Sequence, residues 1–564
     1  MDEKLKEMTF KYAVKNAAEH LGKADLKAVI GKLVAIDKEL GKNLGKHIKE
    51  ITEIVEKVNA MDKKTLEEKF SSFESFNELP EREKKEEMFL DWADKQRVVT
   101  RYAPNPNGPF HLGNARALLM SYDYARKYKG KFILRFDDTD PKVKKSIKEP
   151  EKVFKKDLDW LGVKVDETFF ASDRMEIYYN YMKKIISMDK AYVCKCEKEK
   201  WKEKIDENKS CKCREKNSKE QLKEFEKMLS HELKEGTAVL RIKTDLDAKD
   251  PSLRDWWAAK IVDNPEHPRV GDKYKVWPSY NFASATDDHE MGITLIIRGQ
   301  EHAQNAEKQK FLYKYFNWVY PETFHTGRIK LKEMVLSTSK IKEGIEKGIY
   351  FGWDDPRLGT IQALRRRGFN PNTIKEIIKE IGVKSSDVTV DFSRIVDVNK
   401  GFIDAKSDRY YFIEDPIKLE VNFVPEMQIE KPLHPDYPDQ TKTYEVSKGT
   451  QTFLISRKQT EKLELGKIAR LKHALNFRVI RKDEMQIFGE FVGIQKLENK
   501  TLIPWILKET SAEIMMDNAV KKHGIIEKEI LEEKEGNTIQ LENFGYARID
   551  EIEKEKIVLW FAHK

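Results

Sequence analysis

A multidomain chain, α/β at its centre and β at its C-terminal end, is the fold class that three observations predict. With 564 residues the chain exceeds what a single hydrophobic core holds, so several domains are expected. From residue 97 to residue 136, "RVVTRY", a loop rich in Pro and Gly, "NARALLMSYDYARKY" and "KFILRF" succeed one another as strand, loop, helix and strand, the opening of a parallel sheet. Beyond about residue 400, short apolar runs separated by turn residues ("IKLEV", "TFLIS", "RVI", "IFGEFVGIQKL", "IVLWFA") predict β-barrels.

Residues 1 to about 60 carry helical periodicity: in "LKAVIGKLVAIDKEL" Leu26, Val29, Ile30, Leu33 and Ile36 share one face, which predicts a small helical domain. The periodicity fades between "SSFESFNELPE" and "EREKKEEMF", placing a boundary near residues 80–95. In the central segment Ala115, Leu118, Leu119, Tyr122 and Ala125 recur at helical spacing, and "KFILRF" runs into Asp137, Asp138 and Asp140. Ligands of such sheets bind beyond the carboxyl ends of the strands, where both the loop and the acidic "DDTD" fall. From about 190 to 275 the cysteine pairs and "NPEHPRVGDKYKVWP" interrupt the pattern and read as an insertion; "ITLIIRGQEH" resumes the sheet, and residues 360–395 read as helical.

Charge restricts little: 105 Lys and Arg against 97 Asp and Glu leave +8, which permits local basic patches without requiring a nucleic acid. No apolar run approaches the ~18 residues of a membrane span, and the N-terminal stretch lacks the apolar centre of a signal peptide. A cytoplasmic protein with no membrane partner is expected. All four cysteines, Cys194, Cys196, Cys211 and Cys213, form two Cys-X-Cys pairs. In a reducing compartment that clustering favours four thiolates around one zinc ion, with the lysines and Arg214 among them promoting ionisation. Four reduced, unliganded thiols are the alternative, because the spacing is tighter than the commoner Cys-X2-Cys.

The loop raises the sharper question. Pro104, Asn105, Pro106, Asn107 and Gly108, with His111 and Gly113 at a strand-to-helix turn, set backbone N–H groups and a helix N-terminus where a phosphate fits; a tight structural turn is an equal reading. Arg101 closes "RVVTRY" and Arg298 closes "ITLIIR". Two guanidinium groups at adjoining strand ends make a carboxylate site, although arginines more commonly pair with surface acids.

"RYAPNPNGPFHLGN", "LRFDDTD", "WPSYNFASATDDHEMGITLIIRGQEH", "VLSTSK" and "LRRRGFNP" stand in the order and spacing of class I glutamyl- and glutaminyl-tRNA synthetases, and the whole chain resembles the archaeal type of glutamyl-tRNA synthetase. The resemblance implies a Rossmann-type catalytic domain at 96–330 interrupted by an acceptor-stem insertion at about 190–275. It places a helical extension at 1–95, a helical stem-contact region at 331–398 and an anticodon-binding β-barrel domain at 399–564. The implied reaction joins L-glutamate to its tRNA through glutamyl-adenylate, using ATP with magnesium, in a chain acting as a monomer. Charging of the tRNA for glutamine is left open.

In the family the "HIGH" element grips ATP; here it is His111, Leu112, Gly113 and Asn114, with asparagine replacing the last histidine. The "KMSKS" element corresponds to Val335, Leu336, Ser337, Thr338 and Ser339, without its lysines, so that Lys340, Lys330 or Lys332 would supply the cation. By resemblance Arg298 faces the γ-carboxylate of the substrate, Asp137 holds its ammonium, Tyr280 lines the pocket and Ser284 stands where an asparagine is usual. A cysteine-rich knuckle in related synthetases agrees with zinc. Arg365, Arg366 and Arg367, and Lys467, Arg470, Lys472, Arg478, Arg481 and Lys482, are basic stretches suited to the tRNA backbone. The rival readings are a glutaminyl-tRNA synthetase, which carries a small uncharged residue in place of Arg298, and a tRNA-binding protein without catalysis.

Overall fold

Two units make up the chain, Met1–Glu87 and Met88–Lys564. The structure, a computed structural model, describes residues 3–19, 23–26, 28–30, 33, 38–72, 90–497 and 501–564. Ile36 lies outside the described residues, as does most of the expected boundary near residues 80–95.

In the first unit, helices Glu3–Glu19, Lys38–Asn59 and Lys63–Ser72 surround buried Val14, Ala17, Val29, Leu33, Ile51, Val55 and Val58. The Asn59 side chain closes the bundle by donating to the Ala24 carbonyl at 3.1 Å and accepting from its N–H at 2.6 Å.

The second unit opens with β1 (Val99–Tyr102), β2 (Lys131–Phe136), β3 (Glu167–Phe170), β4 (Ala191–Cys194), β5 (Val239–Ile242), β6 (Trp257–Ile261), β7 (Val276–Pro278), β8 (Leu295–Gly299) and β9 (Glu322–Thr326). Five of these form one sheet in the order β3-β2-β1-β8-β9, all pairs parallel. The chain winds outward from β1 to β3, then returns beside β1 with β8. The sheet therefore splays at the carboxyl ends of β1 and β8, the place where doubly wound sheets bind ligands. Helix Leu112–Lys127 packs on the sheet through Ala115, Leu118 and Leu119, while Phe110, Phe136 and Phe154 stack edge to face below the loop. Each such ring contributes on the order of 1.5–3 kcal/mol by burial. Arg116, buried on the same helix, donates to the carbonyls of Gly327, Gly382 and Lys384, tying the helix to distant loops.

The segment read as an insertion forms its own antiparallel sheet, β4-β5-β6-β7, with helices Lys198–Asp206 and Ser218–Leu229. Residues 360–395 are not one helical run. Helix Ile361–Arg366 ends at Gly368, whose φ of +90° lies in the left-handed region, and Asn370-Pro371 caps and starts a second helix, Pro371–Ile381. Past Gly382 the chain is a strand, Val388–Val390. The C-terminal third comprises barrel-like six- and seven-stranded sheets and a two-stranded ribbon, Met427–His434 with Tyr437–Val446. Among the described residues no helix is long and apolar enough to cross a membrane.

Candidate active site

The loop after β1 is fastened from several sides. The Pro104 carbonyl accepts from Asp137 N–H at 2.9 Å, the Pro106 carbonyl from Ile147 N–H at 2.8 Å, and Asn105 Nδ2 donates to the Asp137 carbonyl at 3.2 Å. A Cβ on Gly108 would stand 2.6 Å from Thr338 Cγ2 and 2.9 Å from Trp353 Cη2. Only glycine lets the loop meet the helix Thr338–Glu346 that closely, so the two motifs, more than 200 residues apart, share one wall. Asn107 is half-buried on the same loop.

His111 caps the helix Leu112–Lys127, its backbone N–H donating to Asn114 Oδ1 at 3.3 Å. Gly113 adjoins the His111 ring, since a Cβ there would lie 3.0 Å from Cε1 and Nδ1. Burial pushes the His111 imidazole down to about 4, so it is neutral at physiological pH. Its Nδ1 and the Asn105 Oδ1 are buried without hydrogen-bond partners among the described residues. Buried orphans of this kind cost free energy unless a ligand meets them, and here they line the phosphate-sized turn.

Across from the loop, Ser337 is the N-cap of helix Thr338–Glu346, its hydroxyl 3.2 Å from that of Ser339. Lys340 is exposed in the first turn and makes no ion pair among the described residues. Lys330 and Lys332, the other two candidates, pair with Asp387 at 2.8 Å and Asp391 at 2.9 Å.

Beyond the strand ends lies a buried charge network that the sequence did not announce. Arg135, next to last in the mostly apolar β2, donates to Asp137 at 2.8 Å, to Asp288 at 2.8 Å and to Ser284 Oγ at 3.1 Å. Arg101 Nε reaches the same Asp288 at 3.1 Å. Asp287 accepts from Arg174 and from the Tyr178 hydroxyl, each at 2.6 Å. Burial alone would raise the Asp288 carboxyl, but Arg101 and Arg135 outweigh it and hold the group below its usual range. Asp137 ends up raised, burial prevailing over Arg135, and its Oδ2 is buried without a partner. The signal for the network was the acid pair in "NFASATDDHE", a helix otherwise buried; periodicity cannot say which cations meet it.

Arg298 differs from every arginine of that network. Its side chain is 5% exposed; Nη1 donates to Gln309 Oε1 at 3.0 Å, Nη2 to the Tyr320 hydroxyl at 3.2 Å, and Nε is buried without a partner. It makes no ion pair among the described residues. Tyr280 opens helix Tyr280–Glu290, and its ring lies 5.3 Å from that of His302. Burial, reinforced by Arg298, pushes His302 down to about 4. Sequence reasoning overlooked Gln309, His302 and Trp353.

The four thiols converge. Cys194 and Cys211 Sγ are 4.0 Å apart, as are Cys196 and Cys213, and all four lie within 4.8 Å of one another. Tetrahedral zinc with Zn–S near 2.3 Å sets its sulfurs roughly 3.8 Å apart, so the donor set fits with little movement. The Arg214 backbone N–H donates to the Cys211 carbonyl at 2.9 Å, closing the turn that carries Cys211 and Cys213. The Arg214 guanidinium does not assist as expected: it donates to Asp255 at 2.9 Å and to the Thr244 carbonyl at 2.8 Å.

The basic stretches divide. Arg367 is buried, its fork spent on the carbonyls of Pro356, Phe561 and Ala562, which corrects the expectation that it meets nucleic acid. Arg365 is paired with Asp157, Arg366 with Asp354 and Asp550, and Arg470 with Asn476 and two carbonyls. Lys467, just before the strand Ile468–Leu471, and Arg478, on the neighbouring strand, stand exposed.

Two family models match: tRNA synthetases class I (E and Q), catalytic domain, over residues 97–404, and the anti-codon binding domain of the same class over residues 407–493. The chain is similar to the glutamate–tRNA ligase of Thermococcus kodakarensis, 45% identical over 578 residues and 100% of both chains. It is likewise 45% identical over 573 residues to those of Pyrococcus abyssi, covering 99% of both chains, and Pyrococcus horikoshii, covering 99% of this chain and 100% of the relative.

Proposed function

From the premise that the chain belongs to the class I tRNA synthetases for glutamate and glutamine, among the archaeal glutamate–tRNA ligases, we propose that it activates L-glutamate with ATP and esterifies it to tRNA. The observation that carries this reading is Arg298, a buried cation near the carboxyl end of β8 whose partners among the described residues, Gln309 and Tyr320, are neutral side chains. Burying an uncompensated charge is costly, and an anionic ligand removes the cost. Glutamine offers no such charge, which disfavours a glutaminyl enzyme. The orphaned polar atoms of the ATP loop disfavour a protein that binds tRNA without catalysis.

In the first step an oxygen of the glutamate α-carboxylate attacks the α-phosphorus of ATP and pyrophosphate leaves. In the second, a terminal hydroxyl of tRNA attacks the activated carbonyl and AMP leaves. Both steps depend on placement and on charge developing at phosphate oxygens, so no strong base is assigned. Arg298 receives the γ-carboxylate, and the free Asp137 Oδ2 the ammonium. Arg101 was expected to share the carboxylate; its bond to Asp288 makes it a support for that wall instead. His111, neutral, donates to the phosphates beside the Gly108 turn, while Asn114, engaged with the His111 N–H, keeps that ring in place. Lys340 supplies the mobile cation, and magnesium bound with ATP screens the phosphates. Lys467 and Arg478 are exposed basic side chains suited to the tRNA backbone, although Arg478 Nη1 also donates to the Gly466 carbonyl at 3.3 Å.

Zinc held by Cys194, Cys196, Cys211 and Cys213 would staple the end of β4 to the loop before helix Ser218–Leu229. Extracting it should lower aminoacylation while leaving ATP binding intact, because the ATP wall shares no element with the cluster. Protein purified without chelator and free of zinc by metal analysis refutes this part.

The test of the main reading is ATP–pyrophosphate exchange in the presence of tRNA. Glutamate is expected to exceed glutamine in kcat/KM by roughly 10³–10⁵; comparable values for the two refute it.

A further inference from the structure

Helix Ala303–Phe316 turns Ala306, Gln309, Leu312 and Tyr313 inward. Three of these suit a core. The fourth is a primary amide, 1% exposed, among apolar neighbours on its helix. Gln309 Oε1 accepts from Arg298 Nη1 at 3.0 Å, and its own Nε2 is buried with no hydrogen-bond partner among the described residues. A buried donor left unmade is expensive, so its retention needs a reason beyond packing. Turning the amide over would aim N–H donors at the guanidinium, hence the carbonyl is held toward Arg298.

Resting on the reading of Arg298 given above, we propose that Gln309 is a specificity-determining positioning residue: it orients the guanidinium through a neutral acceptor and thereby keeps the positive charge unspent for the substrate. The contrast lies on the same sheet. Arg101 and Arg135 are oriented by carboxylates, Asp288 and Asp137, and their charges are matched before any ligand arrives. Arg298 is gripped as firmly, by Gln309 and by Tyr320, whose ring stacks edge to face on Tyr313 at 4.9 Å, yet neither partner is charged. A glutamate in place of Gln309 would preserve shape and acceptor and cancel the charge. The substrate γ-carboxylate would then meet a neutral pair and a nearby negative charge, whereas the glutamine side chain would lose little.

The experiment uses the full-length enzyme and measures kcat and KM for glutamate and for glutamine in tRNA-dependent pyrophosphate exchange. Gln309→Glu should lower the glutamate-to-glutamine ratio of kcat/KM by at least about 100-fold, mainly through KM for glutamate. Gln309→Met, neutral and of similar length, should slow both amino acids but hold the ratio within about tenfold, because the charge survives. A pH series separates charge from packing. In Gln309→Glu, binding glutamate must take up a proton to relieve the two carboxylates, so KM for glutamate should climb from pH 6 to pH 8 relative to wild type. The Tyr320 phenol on the guanidinium, His302 and His325, which feel its charge, and Glu301, Glu307, Lys310 and Arg101, which act on those two rings, are common to both proteins and cancel in that comparison.

An unchanged ratio in Gln309→Glu, or an equal collapse in Gln309→Met, overturns the proposal. Arg298→Cys in the same assay tells which layer failed. If it too leaves the ratio unchanged, Arg298 does not read the side chain; if it alone destroys the ratio, only the role of Gln309 is lost.

Discussion

In the C-terminal sheets the carboxylate of Glu527 is buried between Lys431 and Lys442, and accepts as well from the Tyr444 hydroxyl at 2.8 Å and the Tyr411 N–H at 2.8 Å. At the end of β8 the guanidinium of Arg298 is buried just as deeply against an amide and a phenol. The first cluster joins three strands: Glu527 ends Lys521–Glu527, and the lysines belong to the two strands of the ribbon. Lys431 also lies 4.0 Å from the Tyr411 ring centre and 4.9 Å from that of Trp505. Burial would raise Glu527, but Lys431 and Lys442 prevail and keep it below its usual range. The difference lies in the partners: Glu527 meets opposite charges and fastens three strands, Arg116 and Arg367 spend their donors on backbone carbonyls, and Arg298 meets only the side chains of an amide and a phenol at the carboxyl end of β8.

That contrast is open to attack from both sides. The largest effect expected is on Arg298→Cys, which should cut glutamate kcat/KM by roughly 10⁴ while the thermal midpoint holds or rises, since an unmatched buried charge is removed. Lysine at the same position should rescue poorly, lacking the planar fork. A large fall in midpoint would place Arg298 among the structural charges.

Glu527→Gln should behave in the opposite way. Two lysines lose their anion, for about 3–5 kcal/mol of stability, while the folded enzyme keeps its amino-acid preference. Unfolding curves and exchange kinetics on one preparation decide; a stable variant with altered selectivity would dissolve the distinction.

Asp157 offers a subtler case, a structural charge only half matched. Burial raises its carboxyl to about 7 despite Arg365, whose Nη1 lies 2.9 Å away. A carboxyl raised above its unfolded value near 4 contributes stability that is complete below about pH 4 and lost as pH climbs through about 7. Asp157→Asn keeps an acceptor for Arg365 and removes the titration, so wild type should lose about 4 kcal/mol relative to the variant between pH 4 and pH 8. Parallel stability profiles for the two proteins would contradict the assignment.

Lys340 extends the idea to an exposed cation that makes no ion pair among the described residues. Lys340→Ala should slow activation by about 10–100-fold with KM for glutamate nearly unchanged, as befits a group acting on transition-state charge. Lys330→Ala and Lys332→Ala, each removing a lysine already paired with an aspartate, should leave the rate close to wild type. Wild-type activation by Lys340→Ala moves the role to another lysine.

By itself the sequence determined the features that are local in the chain. The strand, loop, helix and strand from Val99 to Phe136 were legible because alternation and helical spacing repeat within a few residues, and the paired cysteines because a metal site needs donors at short intervals. Arg101 and Arg298 were placed at strand ends for the same reason. Only the tertiary structure decided which charges are spent. Arg135 and Asp288 meet across 153 residues, and Arg367 is sealed beneath the carbonyls of Phe561 and Ala562, nearly 200 residues on. Whether a guanidinium is matched depends on what lies within a few ångströms in space, and Coulomb interaction in a buried site takes no account of separation along the chain.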